Sequence, residues 1–141
     1  MDNAGNIQFR PLTGSKMPLP LIYHDDYSPD FPAEHRFPMD KFRLLRDHLI
    51  ESGLTTDAQL LRPDVCPSDV LALAHDPAYI QRYMSGDLSR EDQRRLGLPW
   101  SEALAQRTVR AVGGSLLAAE QALQHGMACH LAGGKIGRAH V

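Results

Sequence analysis

Hydrophobic and polar positions recur along the chain with two periods, which predicts a mixture of helices and short strands. Met39, Phe42, Leu45 and Leu49 return at spacings of three and four, so they share one face of a helix. With Pro38 ahead and Gly53 behind, this helix is predicted over Asp40 to Ser52. A longer stripe, Val109, Val112, Leu116, Ala119 and Leu123, predicts a packing helix that begins near Pro99-Trp100-Ser101 and runs to His125, with Gly126 in the terminating position. Gly113-Gly114 lies inside it, where each Gly costs about 1 kcal/mol relative to Ala. Close approach to a neighbouring element is the expected compensation.

Three apolar runs read as strands: Leu19 to His24, Gln59 to Val65 and Met127 to Leu131. Pro20 favours an edge or first position for the first of them, while Met127 to Leu131 is apolar enough to lie centrally. Short helices are expected from Pro67-Ser68-Asp69 through Ala74, and from Asp76-Pro77 through Met84 with Ser85-Gly86 as the stop. Another follows Ser89 and ends at Gly97. Helix followed by strand predicts parallel α/β packing with right-handed crossovers. Asp25 to Pro38, with three prolines, is predicted to be a long ordered loop that lines a functional surface.

Composition narrows the partners. With 141 residues the chain has the length of one ordinary domain. A formal net charge of -2 gives no basic footprint for nucleic acid, and no run is long and apolar enough to suggest a membrane span. Cys66 and Cys129 form neither a C-x-x-C pair nor a disulfide framework, so a reducing cytoplasm is the expected compartment. Met1 to Lys16 read as a loose extension, and Met17 is a candidate start.

Several segments, in order, carry a resemblance: Ile22-Tyr23-His24-Asp25-Asp26-Tyr27, His35 to Leu45, and His75-Asp76-Pro77-Ala78-Tyr79-Ile80. They are followed by Leu98-Pro99-Trp100-Ser101, Arg107-Thr108, Gly113-Gly114 and His130-Leu131-Ala132-Gly133-Gly134. Over Met17 to Gly134 the chain resembles the histone deacetylase superfamily, zinc-dependent amidohydrolases with an arginase-like α/β fold, and most closely its bacterial and class IV branches. The resemblance implies the N-terminal part of a three-layer domain with a parallel sheet. It also implies that Gly133 and Gly134 lead towards a paired-histidine catalytic loop, followed later by an Asp-x-His pair and a distant Asp as zinc ligands. These motifs do not occur within this chain.

No catalytic or metal-binding residue is therefore assigned. Metal-assisted amide hydrolysis needs about three protein ligands, a base for the bound water and an oxyanion donor. The seven histidines, His24, His35, His48, His75, His125, His130 and His140, form no H-x-x-x-H or D-x-H pattern. His24, His125 and His130 read as hydrogen-bonded loop anchors, and His48 as solvated. By resemblance, Tyr23, Asp25 and His35 stand at a pocket wall or rim. Arg43 matches either a family arginine lining an acetate exit path or a helix-surface arginine. Asp76 lies one position before the family's substrate-gripping aspartate, where this chain has Pro77. Trp100 reads as a helix-entry staple and Cys129 as a small buried strand residue.

Lys135 to Val141 coincides with the translation of a common sequencing adapter and is expected to be a non-native tail. The expectation is thus an inactive N-terminal fragment of a cytoplasmic zinc-dependent deacetylase, whose intact parent acts on acylated lysine or amine substrates. Uncovered apolar surface should make its folding marginal. Two alternatives stay open: an acetylpolyamine or acetoin-utilisation type deacylase of the same superfamily, and a small non-catalytic α-rich binding module. Oligomeric state is not read from the sequence.

Overall fold

The computed structural model describes residues 18–132. The expected extension, the tail, and Gly133 and Gly134 lie outside the described residues. A three-stranded parallel sheet and five α-helices make up the regular structure of that span. In chain order they are β1 (Leu21–Ile22), α1 (Lys41–Glu51), β2 (Leu60–Leu61), α2 (Ser68–Leu71), α3 (Pro77–Ser85), α4 (Arg90–Leu96), α5 (Glu102–His125) and β3 (Cys129–His130). A 3-10 turn, Asp25–Tyr27, follows β1.

Three of the helices, α3, α4 and α5, start and stop on side-chain caps and glycines. Asp76 accepts from the backbone N–H groups of Ala78 and Tyr79, Ser89 from Asp92, and Ser101 from Leu104, which satisfies N–H groups that the first turn leaves without partners. Gly86, Gly97 and Gly126 end α3, α4 and α5 with positive φ of 77°, 67° and 86°, a conformation that a Cβ disfavours.

The sheet order is β2-β1-β3, with Leu21 opposite Leu60 and Cys129, and Ile22 opposite Leu61 and His130. β1 is the central strand of the three, and of the two places open to Pro20 the structure takes the one at the strand's start: Pro20 precedes β1 and contributes only its carbonyl, which accepts from Cys129 N at 2.8 Å. Two expectations are corrected: among the described strands β3 flanks β1 instead of lying centrally, and Cys129 is exposed rather than buried. All three strands are shorter than their apolar runs.

The core joins Tyr23, Tyr27, Met39, Phe42, Leu60, Leu104, Leu131 and Ala132. Only part of the α5 stripe takes part. Val109 is buried, whereas Leu116 is 47% and Leu123 89% exposed. A helix of 24 residues is roughly 36 Å long, so its second half overhangs strands of two residues each. Apolar surface is left uncovered there, as at Met127.

Gly113 and Gly114 do mark close approach. A Cβ at Gly113 would collide with the carbonyl oxygen of Asp64, and one at Gly114 with the Tyr27 hydroxyl and His130 Nε2. Both glycines are buried on the face of α5 turned to the strand ends.

Candidate functional site

The carboxyl ends of β1 and β3 meet α5 in a cluster of polar side chains, at the place where open parallel sheets bind ligands. Tyr27 is carried there by the 3-10 turn after β1, and His130 by β3 itself. The turn forms because His24 caps it, its Nδ1 accepting from Asp26 N at 3.1 Å. The Tyr27 hydroxyl lies 2.8 Å from His130 Nε2, and the two rings meet edge to face with centroids 5.4 Å apart. His130 Nδ1 lies 3.4 Å from Ser115 Oγ, which donates to Ala111 O at 3.3 Å.

One assignment of hydrogens satisfies all of these contacts at once. Ser115 has one hydrogen and gives it to Ala111, so it accepts from His130 Nδ1–H; Nε2 is then an acceptor for the Tyr27 O–H. Burial, reinforced by the Arg107 guanidinium, lowers the His130 pKa from its ordinary value, and burial raises that of Tyr27. With both nitrogens engaged, His130 holds the end of β3 in place instead of offering a free base.

Two arginines of α5 complete the cluster. Arg107 Nε donates to Tyr27 O at 2.9 Å. Arg110 donates to Asp26 Oδ2 at 2.9 Å and to Pro63 O at 3.1 Å, tying the loop after β2 to the turn after β1. His24 stands 3.4 Å from the same Asp26 carboxylate. Its pKa is nevertheless lowered, because burial outweighs the attraction of Asp26.

The residues read as pocket wall or rim are distributed over three places. Tyr23 is buried beside Tyr27, edge to face at 5.7 Å, with the guanidinium carbons of Arg46 and Arg62 at 5.3 and 5.9 Å from its ring. Burial raises its pKa. Asp25 is exposed and lies 3.5 Å from Arg62. His35 and Arg43 come together with Ser28 and Asp30 along an open groove of about 590 Å³, so the loop lines a concave surface. His35 Nδ1 accepts from Phe37 N at 3.1 Å, and Arg43, on the surface of α1, lies 3.3 Å from Asp40. Asp76 is separate from both groups, capping α3.

Of the remaining histidines, His48, His75 and His125 are exposed. The Trp100 indole N–H donates to Tyr83 O at 2.8 Å while its ring covers Gly86. Among the described residues no group of three or more His, Cys, Asp or Glu side chains is placed to hold a metal ion. No helix there is long and apolar enough to cross a membrane.

Tyr27, Asp26, Arg107 and Arg110 were not singled out as site residues by sequence reasoning. The signal available was the glycine pair, which announces that something approaches α5 without naming it.

No protein-family model matches the chain. An uncharacterized protein of Picosynechococcus sp. is 48% identical over 118 residues, covering 84% of this chain and 39% of that protein. The acetoin utilization protein AcuC of Staphylococcus xylosus is 32% identical over 114 residues, 74% of this chain and 30% of that protein. The chain therefore spans well under half the length of either relative.

Proposed function

We propose that this chain is the N-terminal part of a zinc-dependent deacylase of the histone deacetylase superfamily, with the arginase-like fold, acting in the cytoplasm on an acylated lysine or amine. The observation that carries the reading is the identity with the acetoin utilization protein over most of this chain. The parallel sheet, in which β1 and β3 lead to the joined Tyr27 and His130, supports it. Acetoin-utilisation type chemistry is the second reading, favoured by the same relative.

On this reading the metal ligands lie beyond the described residues, and the part seen here supplies the floor and one wall of the crevice. Zinc would polarise the scissile carbonyl and activate water. The residues of this chain position what surrounds that chemistry. Arg107 and the Tyr27–His130 pair hold the ends of β1 and β3 against α5, so that the chain continuing past Ala132 starts from a fixed point. The groove of His35 and Arg43 would form part of the rim.

The test is to clone the uninterrupted reading frame from genomic DNA and assay its product. Stoichiometric zinc and hydrolysis of an acetyl-lysine peptide or acetylated polyamine, abolished by a chelator and restored by zinc, are expected. A reading frame that ends at Val141, or a longer product that binds no zinc and hydrolyses none of these amides, would overturn the proposal.

A further inference from the structure

Among the described residues, His130 alone is a histidine held by side chains at both ring nitrogens: Tyr27 at Nε2, from the turn after β1, and Ser115 at Nδ1, from α5. The ring lies so close to Gly114 that a Cβ there would strike Nε2. It therefore has no room to shift towards α5. Tyr27 is fully buried, and among the described residues its hydroxyl has no hydrogen-bond partner besides His130.

The charges around this joint do not favour a further cation. From α5, Arg107 is near enough to oppose protonation of His130. Arg110 is paired with Asp26 of the turn, which His24 also approaches. β1 presents Ile22, the uncharged pairing partner of His130. Among the described residues no carboxylate stands at salt-bridge distance from the imidazole. A proton on the ring also removes its acceptor nitrogen, which leaves the Tyr27 hydrogen unpaired in the interior. A charged ring is better placed in solvent, and the exposed Ser115 marks the way to it.

We infer that the Tyr27–His130 contact is a proton-operated latch: when His130 takes up a proton, its ring turns out past Ser115 and parts from Tyr27, while β3 stays paired with β1. The pairing survives because backbone groups make it, Cys129 N to Pro20 O and Leu131 N to Ile22 O, and these do not titrate. The closed form disfavours the proton, since burial and Arg107 lower the His130 pKa. Acid therefore drives the latch open, at a pH below the ordinary histidine value of about 6.5. One consequence rests on the deacylase reading: in acid the chain past Ala132 loses its fixed starting point. The latch itself does not depend on that reading.

The test is NMR on the whole chain from about pH 7.5 to about pH 5. It follows the histidine ring nitrogens and the nuclear Overhauser contact between the Tyr27 and His130 rings, whose centroids are 5.4 Å apart. The exposed His48, His75 and His125 serve as internal references. His130 should titrate at lower pH than these three, and the ring-to-ring contact should vanish with its midpoint while the far-ultraviolet circular dichroism holds. Tyr27→Phe removes the hydrogen that the neutral ring accepts, so it should raise the His130 midpoint by roughly 0.4–1 pH unit. A second variant, His130→Gln, cannot titrate, and its side chain should keep its contact with the Tyr27 ring over the whole range. A His130 midpoint equal to those of the exposed histidines, a ring contact that persists below it, or helical signal lost together with that contact would each overturn the inference. So would a midpoint unmoved by Tyr27→Phe, or acid loss of the Tyr27 contact in His130→Gln. Zinc and amide hydrolysis play no part in these measurements, so their outcome is separate from that of the deacylase proposal.

Discussion

The Tyr27 hydroxyl and His130 Nε2 lie 2.8 Å apart although 103 positions separate the two residues in the chain. That single bond joins the turn after β1 to strand β3 directly over Gly114, where a Cβ would displace both groups. Removing the hydroxyl leaves the imidazole acceptor without its partner in a half-buried site. Tyr27→Phe is expected to lower stability by roughly 1–3 kcal/mol, measured by urea unfolding. In a double-mutant cycle with His130→Leu the pair should couple by at least about 0.5 kcal/mol; strict additivity would show that the bond contributes nothing.

Helix propensity and packing make opposite predictions at Gly113. Propensity alone says that Gly113→Ala stabilises α5 by about 1 kcal/mol. The new methyl, however, meets the backbone carbonyl of Asp64, which cannot rotate away as a side chain end would. Packing should win, with a net loss of roughly 1–3 kcal/mol. A higher unfolding midpoint for the variant would count against the close contact.

Acid should weaken the fold before its carboxylates titrate. His24 and His130 both have folded pKa values below the ordinary histidine value, so the unfolded chain binds protons first as pH falls. Stability from these two groups is fully present above about pH 6.5 and is lost as pH drops through that value towards their folded pKa values. Urea midpoints at pH 7.5, 6.5 and 5.5 should decrease in that order, with a shallower slope in His130→Gln. A midpoint that rises on acidification would contradict the sign.

Asp76 serves α3 by its two hydrogen bonds to backbone N–H groups. Asp76→Ala should cost about 1 kcal/mol, and Asp76→Asn much less, because an amide oxygen also caps. Equal losses from the two substitutions in urea unfolding would point instead to its charge.

Local chemistry was the most legible part. Caps and terminal glycines at Asp76, Ser89, Ser101, Gly86, Gly97 and Gly126 could be read from the sequence because each acts within a few residues. The site was less legible. The groove uniting His35 and Arg43, and the separation of Asp76 from it, depend on where the ordered loop folds back onto α1. Nothing in residue spacing encodes that path.

The sequence by itself determined the helices, the ends of α1, α3, α4 and α5 though not that of α2, which stops at Leu71 and not at Ala74, the three apolar strand segments and the need for something to press on Gly113 and Gly114, since periodicity and backbone sterics are local properties. Only the tertiary structure decided that β1 is central despite Pro20, that Leu123 stays exposed while Val109 is buried, and that Asp64, Tyr27 and His130 are what the glycines accommodate. Those outcomes follow from parallel pairing between strands far apart in the chain and from a helix longer than the sheet it covers. They are properties of the assembled elements rather than of any one of them.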